Sequence, residues 1–89
     1  MPTVHVSPPL RGPTRGAGQV SVDGATLRAC IQAVDASHPG FAEQVFDDSG
    51  QLHRFVKLFC NGDPVGVESV DASVRAGDSI EVVAAVSGG

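Results

Sequence analysis

The stretch that most constrains the fold is an apolar run near the C-terminal end, residues 79–86. Valine and alanine occupy both odd and even positions there, so a strand formed by this run would be apolar on both faces. Strands of this kind lie in the interior of a sheet rather than at its edge. The sequence therefore predicts a central strand that leads directly to Gly88 and Gly89.

Two stretches near the start, residues 3–7 and 19–23, alternate apolar and polar residues, which is typical of half-buried strands. The proline- and glycine-rich segment between them, residues 8–18, predicts a loop. We expect the two strands to form an antiparallel hairpin with one covered face. That face carries Val4, Val6, Val20 and Val22.

The apolar spacing then changes to i, i+3, i+4 and i+7, which predicts a helix with one buried stripe. The stripe consists of Leu27, Cys30, Ile31 and Val34. Thr26 is expected to cap the start of the helix, and Pro39 to end it, because the residue before a proline avoids the α region. One further helical turn is predicted at residues 41–46, where Phe41 and Val45 would cover an end of the core.

A third strand is predicted at residues 53–60, with Val56, Leu58 and Cys60 on its core side. Its other side would carry Phe55, Lys57 and Phe59, and two aromatic side chains beside a lysine favour a docking patch. The Asn61-Gly62 pair that follows is typical of a two-residue hairpin turn, since both positions need positive φ. A short returning strand is expected at residues 65–67.

The element order β-β-α-β-β-β predicts an α+β domain with a mixed sheet of four to five strands under one main helix. If the last strand lies between the first and the third, one helix can cover the whole sheet, which is the β-grasp arrangement. We expect a single domain over residues 1–86 and a flexible, reactive tail over residues 87–89.

The chain has 89 residues and a net charge of −4. So short a chain has little room for a substrate cavity beside its core, which argues against a self-sufficient enzyme. The acidic balance argues against nucleic-acid binding. Neither a long apolar run nor a signal peptide is present in the sequence, so we expect no membrane association and a cytoplasmic location.

Motifs for phosphate binding, zinc binding and iron–sulfur ligation do not occur in the sequence, so no metal and no bound cofactor are expected. Cys30 and Cys60 both face the predicted core and are interpreted as buried thiols. His5, His38 and His53 are interpreted as surface residues, because no nucleophile and carboxylate accompany them in a catalytic pattern.

Three stretches resemble the sulfur-carrier proteins of the ThiS/MoaD type, which are β-grasp relatives of ubiquitin. They are residues 24–27, residues 52–56 with the Asn61-Gly62 turn, and residues 77–89. The Leu-His-Arg-Phe-Val stretch and the Ala-Val-x-Gly-Gly end are most similar to carriers that supply sulfur for cysteine biosynthesis and secondary metabolism. The segment at residues 8–18 is less typical of the family.

The resemblance implies that Gly89 is the reactive residue. An ATP-dependent, ubiquitin-activating-like adenylyltransferase and sulfurtransferase would adenylate its carboxylate and convert it to a thiocarboxylate. An acceptor enzyme, cysteine synthase-like or thiazole synthase-like, would take the sulfur. The chain would then be a protein co-substrate, with ATP used by its partner and not bound by the chain itself. Gly88 would let the tail thread a narrow channel, and Val86 and Ser87 would contact the partner together with Phe55, Lys57 and Phe59.

Three alternatives remain open from the sequence. The chain could be the small subunit of a molybdopterin-synthase-type complex, a ubiquitin-like modifier joined to lysines through Gly89, or an interaction module with an inert tail. The residues are compatible with several destinations of the sulfur: cysteine, thiamine, molybdopterin, a thio-sugar or a siderophore.

Overall fold

The computed structural model describes residues 1–7, 12, 16 and 18–84. Within them the chain forms five strands, two α-helices and one 3-10 helix. Their bounds are β1 Thr3–Val6, β2 Gln19–Ser21, α1 Leu27–Ser37, α2 Phe41–Val45, β3 Val56–Cys60, β4 Asp63–Val65, the 3-10 helix Val67–Ser69 and β5 Ser79–Ala84.

The five strands form one mixed sheet in the order β2-β1-β5-β3-β4. β5 runs parallel to β1 and antiparallel to β3, and the two hairpins β1–β2 and β3–β4 are antiparallel. The last strand is therefore central, as its two apolar faces predict. This arrangement confirms the β-grasp prediction.

The main helix α1 covers the sheet through the predicted stripe, whose four side chains are at most 2 % exposed. The Thr26 hydroxyl accepts a hydrogen bond of 3.0 Å from the Ala29 amide, which satisfies a donor at the start of the helix. The predicted hairpin face is also covered, since Val4, Val6 and Val22 are buried, and Val20 is partly buried against the core.

The predicted helical turn after α1 is α2, and its Phe41 and Val45 are completely buried. One carboxylate oxygen of Asp35 accepts hydrogen bonds from the amides of Gly40 and Ala42, both at 3.0 Å. Because Asp35 belongs to α1, these bonds fix the angle at which α2 leaves it.

The structure corrects two strand boundaries. β3 begins at Val56 and not at residue 53, because the Val56 amide donates to the His53 carbonyl and closes a turn. Phe55 therefore lies in the turn and not on a strand face with Lys57. The returning strand β4 is Asp63–Val65 and not residues 65–67, since the chain pairs with β3 directly after the Asn61-Gly62 turn.

Pro64 fits in β4 because this strand is at the edge of the sheet, where a missing amide donor is tolerated. The Asn61-Gly62 turn itself is confirmed, with φ of 52° and 88°. Most of the predicted loop at residues 8–18 and the tail at residues 87–89 lie outside the described residues.

Candidate functional site

The candidate site is the C-terminal end of β5 and the surface beside it. Among the predicted site residues, Val86, Ser87, Gly88 and Gly89 lie outside the described residues. The structure describes the strand up to Ala84, with β1 paired on one side and β3 on the other. The tail thus continues from the middle of the sheet.

The start of β5 is held by a hydrogen-bonded cluster around Asn61. Its amide donates to the Ser79 carbonyl at 2.7 Å, and its side-chain oxygen accepts from the Ser79 amide at 2.9 Å. Its side-chain nitrogen donates to Asp78 at 3.0 Å. The Arg75 amide, at 2.8 Å, and Asn61 both donate to this carboxylate and lower the pKa of Asp78. These bonds fix the register in which β5 enters the sheet.

The other end of β5 is held by Ser7, which follows β1. The Ser7 amide donates to the Val82 carbonyl at 3.0 Å. The Ala84 amide donates to the Ser7 hydroxyl oxygen at 3.1 Å. The last described hydrogen bond from β5 to the β1 side is thus accepted by a side chain.

The sheet face opposite α1 is called the open sheet face here and consists of outward residues of β1, β3 and β5. Strand pairing places Phe59 beside Glu81 and Glu81 beside His5. In the next row, closer to the tail, Lys57 lies beside Val83. Phe59, Val83 and His5 are half-buried, whereas Lys57 and Glu81 are exposed. The face therefore combines apolar surface with one charge of each sign.

Phe55, the remaining predicted docking residue, lies in the turn before β3. Its side chain is 54 % exposed, a large value for an aromatic residue. The Arg54 guanidinium lies 5.9 Å from the centre of its ring, within range of a weak cation–π contact. The structure therefore brings Lys57 and Phe59 together on one face and places Phe55 on a neighbouring turn.

The two cysteines are poor nucleophiles. Cys30 has no exposed surface and Cys60 is half-buried. Loss of solvation, with nearby acidic groups, raises the pKa of both thiols, so the neutral form is favoured. The prediction of a core thiol is confirmed for Cys30, while Cys60 lies at the margin of the core.

A groove of about 510 Å³ lies on the helix side of the molecule. Its walls include Arg28, Phe46, Asp47 and His53, and no residue of β5 lines it. Arg28 is already engaged by Asp71 and by the Gly50 carbonyl. This groove is therefore separate from the candidate site.

Two negative findings concern the described residues only. They contain no group of three histidine, cysteine or carboxylate side chains placed to hold a metal ion. Among the helices of this part of the chain, none is long and apolar enough to cross a bilayer.

Sequence reasoning missed several residues of the candidate site: Ser7, His5, Glu81 and Val83. Alternation along β5 could have found Glu81 and Val83, because they have the opposite parity from the buried Ile80 and Val82. His5 follows in the same way from β1. The role of Ser7 has no local signal, since it depends on a contact with a residue 77 positions away.

Comparison with known proteins agrees with this architecture. Residues 13–89 match the ThiS family. The chain is 37 % identical over 90 residues to the sulfur carrier protein CysO of Mycobacterium tuberculosis, covering 98 % of this chain and 97 % of that protein.

Solved structures are similar over almost the whole chain. CysO in the BexX/CysO complex of Amycolatopsis orientalis superposes with a TM-score of 0.89 at 32 % identity, covering 100 % of both chains. SAMP1 from Haloferax volcanii gives a TM-score of 0.79 at 27 % identity, covering 99 % of this chain and 98 % of that one. The chain therefore belongs to the ThiS family, and it shares the ubiquitin-like β-grasp fold of its sulfur-carrier relatives.

Proposed function

We propose that this sulfur carrier works through the C-terminal carboxylate of Gly89. The observation that supports the proposal is the position of β5, a central strand paired on both sides whose chain continues into the Gly-Gly tail. The strand is anchored at both ends, by the Asn61 cluster and by Ser7. The folded domain therefore holds the start of a short reactive tail in a fixed position.

The chemistry requires activation, because a terminal carboxylate with a pKa of roughly 3.5 is ionised at neutral pH and resists nucleophilic attack. In the proposed reaction the Gly89 carboxylate attacks the α-phosphate of ATP on an activating enzyme, and pyrophosphate leaves. Sulfide, delivered by a sulfur source on the partner, then attacks the carbonyl carbon and displaces AMP, which leaves a thiocarboxylate and releases one proton. ATP thus belongs to the partner, and the chain is a protein co-substrate.

The tail has enough reach for this role. Residues 85–89 follow the last described residue of β5 and extend at most about 16–18 Å, at about 3.3–3.6 Å each. This length lets Gly89 enter a recessed site while the globule stays outside. Gly88 and Gly89 lack Cβ atoms, so the walls of such a site can approach the reacting carbonyl closely.

The open sheet face is the proposed docking surface for the activating enzyme and for the acceptor. It is continuous with the tail, because Val83 and Lys57 are paired one residue before Ala84. Phe59 lies next to them and is the aromatic anchor that interfaces favour. Val86 and Ser87, and Phe55 on the neighbouring turn, would extend the contact.

Phe59→Ala tests the docking surface. We expect its affinity for each partner to fall about tenfold, a typical effect for an aromatic interface anchor. Phe59→Leu, which keeps apolar bulk, should lose less affinity. Gln32 is an exposed residue of α1, on the opposite side of the sheet, so Gln32→Ala should lose none. Unchanged binding of Phe59→Ala to both partners would show that this face is not the docking surface.

Cysteine biosynthesis is the proposed destination of the sulfur. This choice is supported by the 37 % identity to CysO over nearly the full chain. A cysteine synthase-like acceptor is therefore preferred to a thiazole synthase-like one. The thiocarboxylated carrier should transfer sulfur to the first acceptor and not to the second, and the variant lacking Gly89 should transfer none while keeping its circular dichroism spectrum.

Protein modification is a second candidate function, because the chain is also similar to SAMP1 from Haloferax volcanii. A modifier would form an isopeptide bond between Gly89 and lysine side chains of other proteins. Higher-mass conjugates that contain this chain in a cell lysate, and that disappear when Gly89 is deleted, would support this function.

A further inference from the structure

Ser7 occupies an unusual position in the sheet. β1 pairs in parallel with β5 up to Val6 and Val82, and one residue later the Ser7 amide still donates to the Val82 carbonyl. In a regular parallel ladder the Ala84 amide would next donate to the Ser7 carbonyl. Instead it donates to the Ser7 hydroxyl oxygen.

The sequence explains why the side chain of Ser7, and not its backbone carbonyl, accepts this hydrogen bond. Pro8 follows Ser7, and a residue that precedes proline has a restricted backbone. The next odd position, which would face β5 if β1 continued, is Pro9, and it has no amide to donate. The hydroxyl of Ser7 therefore supplies the acceptor at the point where β1 ends.

This contact lies where the tail begins. Within the described residues, Ala84 is the last position of β5, and its amide points toward β1. Successive amides of a strand point to opposite edges, so β3 offers no partner for this amide. Loss of the Ser7 hydroxyl would therefore leave the Ala84 amide without its acceptor and loosen the β1 side of the sheet at the point where the tail begins.

We propose that Ser7 is a positioning residue that sets where the reactive tail leaves the sheet. The inference rests on the proposed function of Gly89, because the position at which the tail leaves the sheet matters only if Gly89 reacts. A defined exit limits the volume that the Gly89 carboxylate explores before docking. With Ala84 already held in the sheet, the partner has one residue fewer to order when it binds.

The test compares Ser7→Thr with Ser7→Val, two side chains of nearly equal shape that differ in the hydroxyl. A neutral hydrogen bond contributes about 0.5–1.5 kcal/mol, which corresponds to about a two- to tenfold change in an equilibrium. We expect the Ala84 amide to exchange with solvent about two- to tenfold faster in Ser7→Val, and at the wild-type rate in Ser7→Thr. The amides of Ile80 and Val82, deeper in the strand, should not change.

Activation by the cognate adenylating enzyme supplies the second readout. For Ser7→Val the KM for the carrier should rise about two- to tenfold with kcat unchanged, because the partner orders the tail once it is bound. Ser7→Thr should restore the wild-type KM. Should Ser7→Val fail to fold, Ser7→Ala measured against the wild type tests the same contact.

Equal KM values for Ser7→Thr and Ser7→Val would overturn the proposal, and so would a fall in kcat with KM unchanged. A failure of the proposed function has a different signature, since the wild-type carrier itself would then remain unmodified at Gly89.

Discussion

Arg28 joins three segments on the helix side of the protein. Its removal should lower the free energy of unfolding by more than is usual for a half-exposed residue. Its Nε donates to a carboxylate oxygen of Asp71 at 2.8 Å, and its Nη1 donates to the Gly50 carbonyl at 2.7 Å. Its guanidinium carbon also lies 4.8 Å from the centre of the Phe46 ring. One side chain of α1 thus holds two loops in place.

The magnitude follows from these three contacts. The ion pair contributes at most about 1 kcal/mol, because the Arg28 and Asp71 side chains are 28 % and 69 % exposed. The hydrogen bond from a charged donor to Gly50 contributes about 1.5 kcal/mol, the lower end for such bonds. The contact with Phe46 adds about 0.5–1 kcal/mol. We therefore expect Arg28→Ala to lower the free energy of unfolding by about 2–3 kcal/mol.

Urea unfolding followed by circular dichroism measures this loss. With a slope of about 1–2 kcal/mol per molar urea, the midpoint should fall by about 1–3 M. Asp71→Ala, which removes the ion pair alone, should cost less than about 1 kcal/mol. Arg28→Lys should lie between them, because lysine keeps the charge but not the forked geometry.

Two results would refute this reasoning. A loss below about 0.5 kcal/mol for Arg28→Ala would show that the three contacts are not net stabilising. An equal loss for Asp71→Ala would show that the ion pair, and not the bond to Gly50, carries the effect. In folded protein, Arg28→Ala should leave the modification of Gly89 unchanged, since Arg28 is not part of the open sheet face.

Two further predictions concern the core and the β3–β4 turn. Burial raises the pKa of Cys30, so stability is fully present below the unfolded thiol pKa of about 8.5 and is lost as pH rises above it. The fall in unfolding free energy between pH 7 and pH 10 should be smaller in Cys30→Ala, and an equal fall would contradict this. At Asn61, where φ is 52°, alanine is strained and glycine is not, although both variants lose the side-chain hydrogen bonds of Asn61 to Asp78 and to the Ser79 amide. Asn61→Ala should therefore be less stable than Asn61→Gly by about 1 kcal/mol in thermal melting, and equal melting temperatures would refute the strain argument.

The elements with a clear period could be predicted from the sequence. The stripe of α1 and the inward face of β5, with Ile80 and Val82, result directly from burial, so hydrophobic spacing was sufficient to identify them. The Asn61-Gly62 turn was predictable because few other residue pairs accept its backbone geometry. The central position of β5 followed from the same reasoning and is confirmed.

The starts of β3 and β4 were predicted wrongly, because they depend on the turns that connect the elements and not on the local sequence pattern alone. Residues 53–55 were predicted as part of the third strand, but the chain turns there between α2 and the sheet, and the hydrogen bond from the Val56 amide to the His53 carbonyl closes that turn. A two-residue turn also requires the returning strand to begin at Asp63.

The candidate site was only partly accessible from the sequence. The Gly88-Gly89 end was predicted as the reactive site because the sequence contains no catalytic motif, and it lies outside the described residues. Lys57 and Phe59 were predicted to share one outward face and do so. Ser7 could not be predicted, because its contact with Ala84 depends on the parallel register of β1 and β5. Register between distant strands is set by the packing of the whole sheet and not by local sequence.

The central claim is that Gly89 carries the sulfur, and mass spectrometry of the activated carrier tests it most directly. The protein is incubated with its activating enzyme, ATP and a sulfur source, then cleaved with trypsin. Arg75 is the last basic residue, so residues 76–89 form a single C-terminal peptide. We predict that this peptide alone gains the mass of sulfur replacing oxygen, that the gain requires ATP, and that fragmentation places it on Gly89. An unmodified C-terminal peptide, or sulfur located on Cys30 or Cys60, would contradict the account.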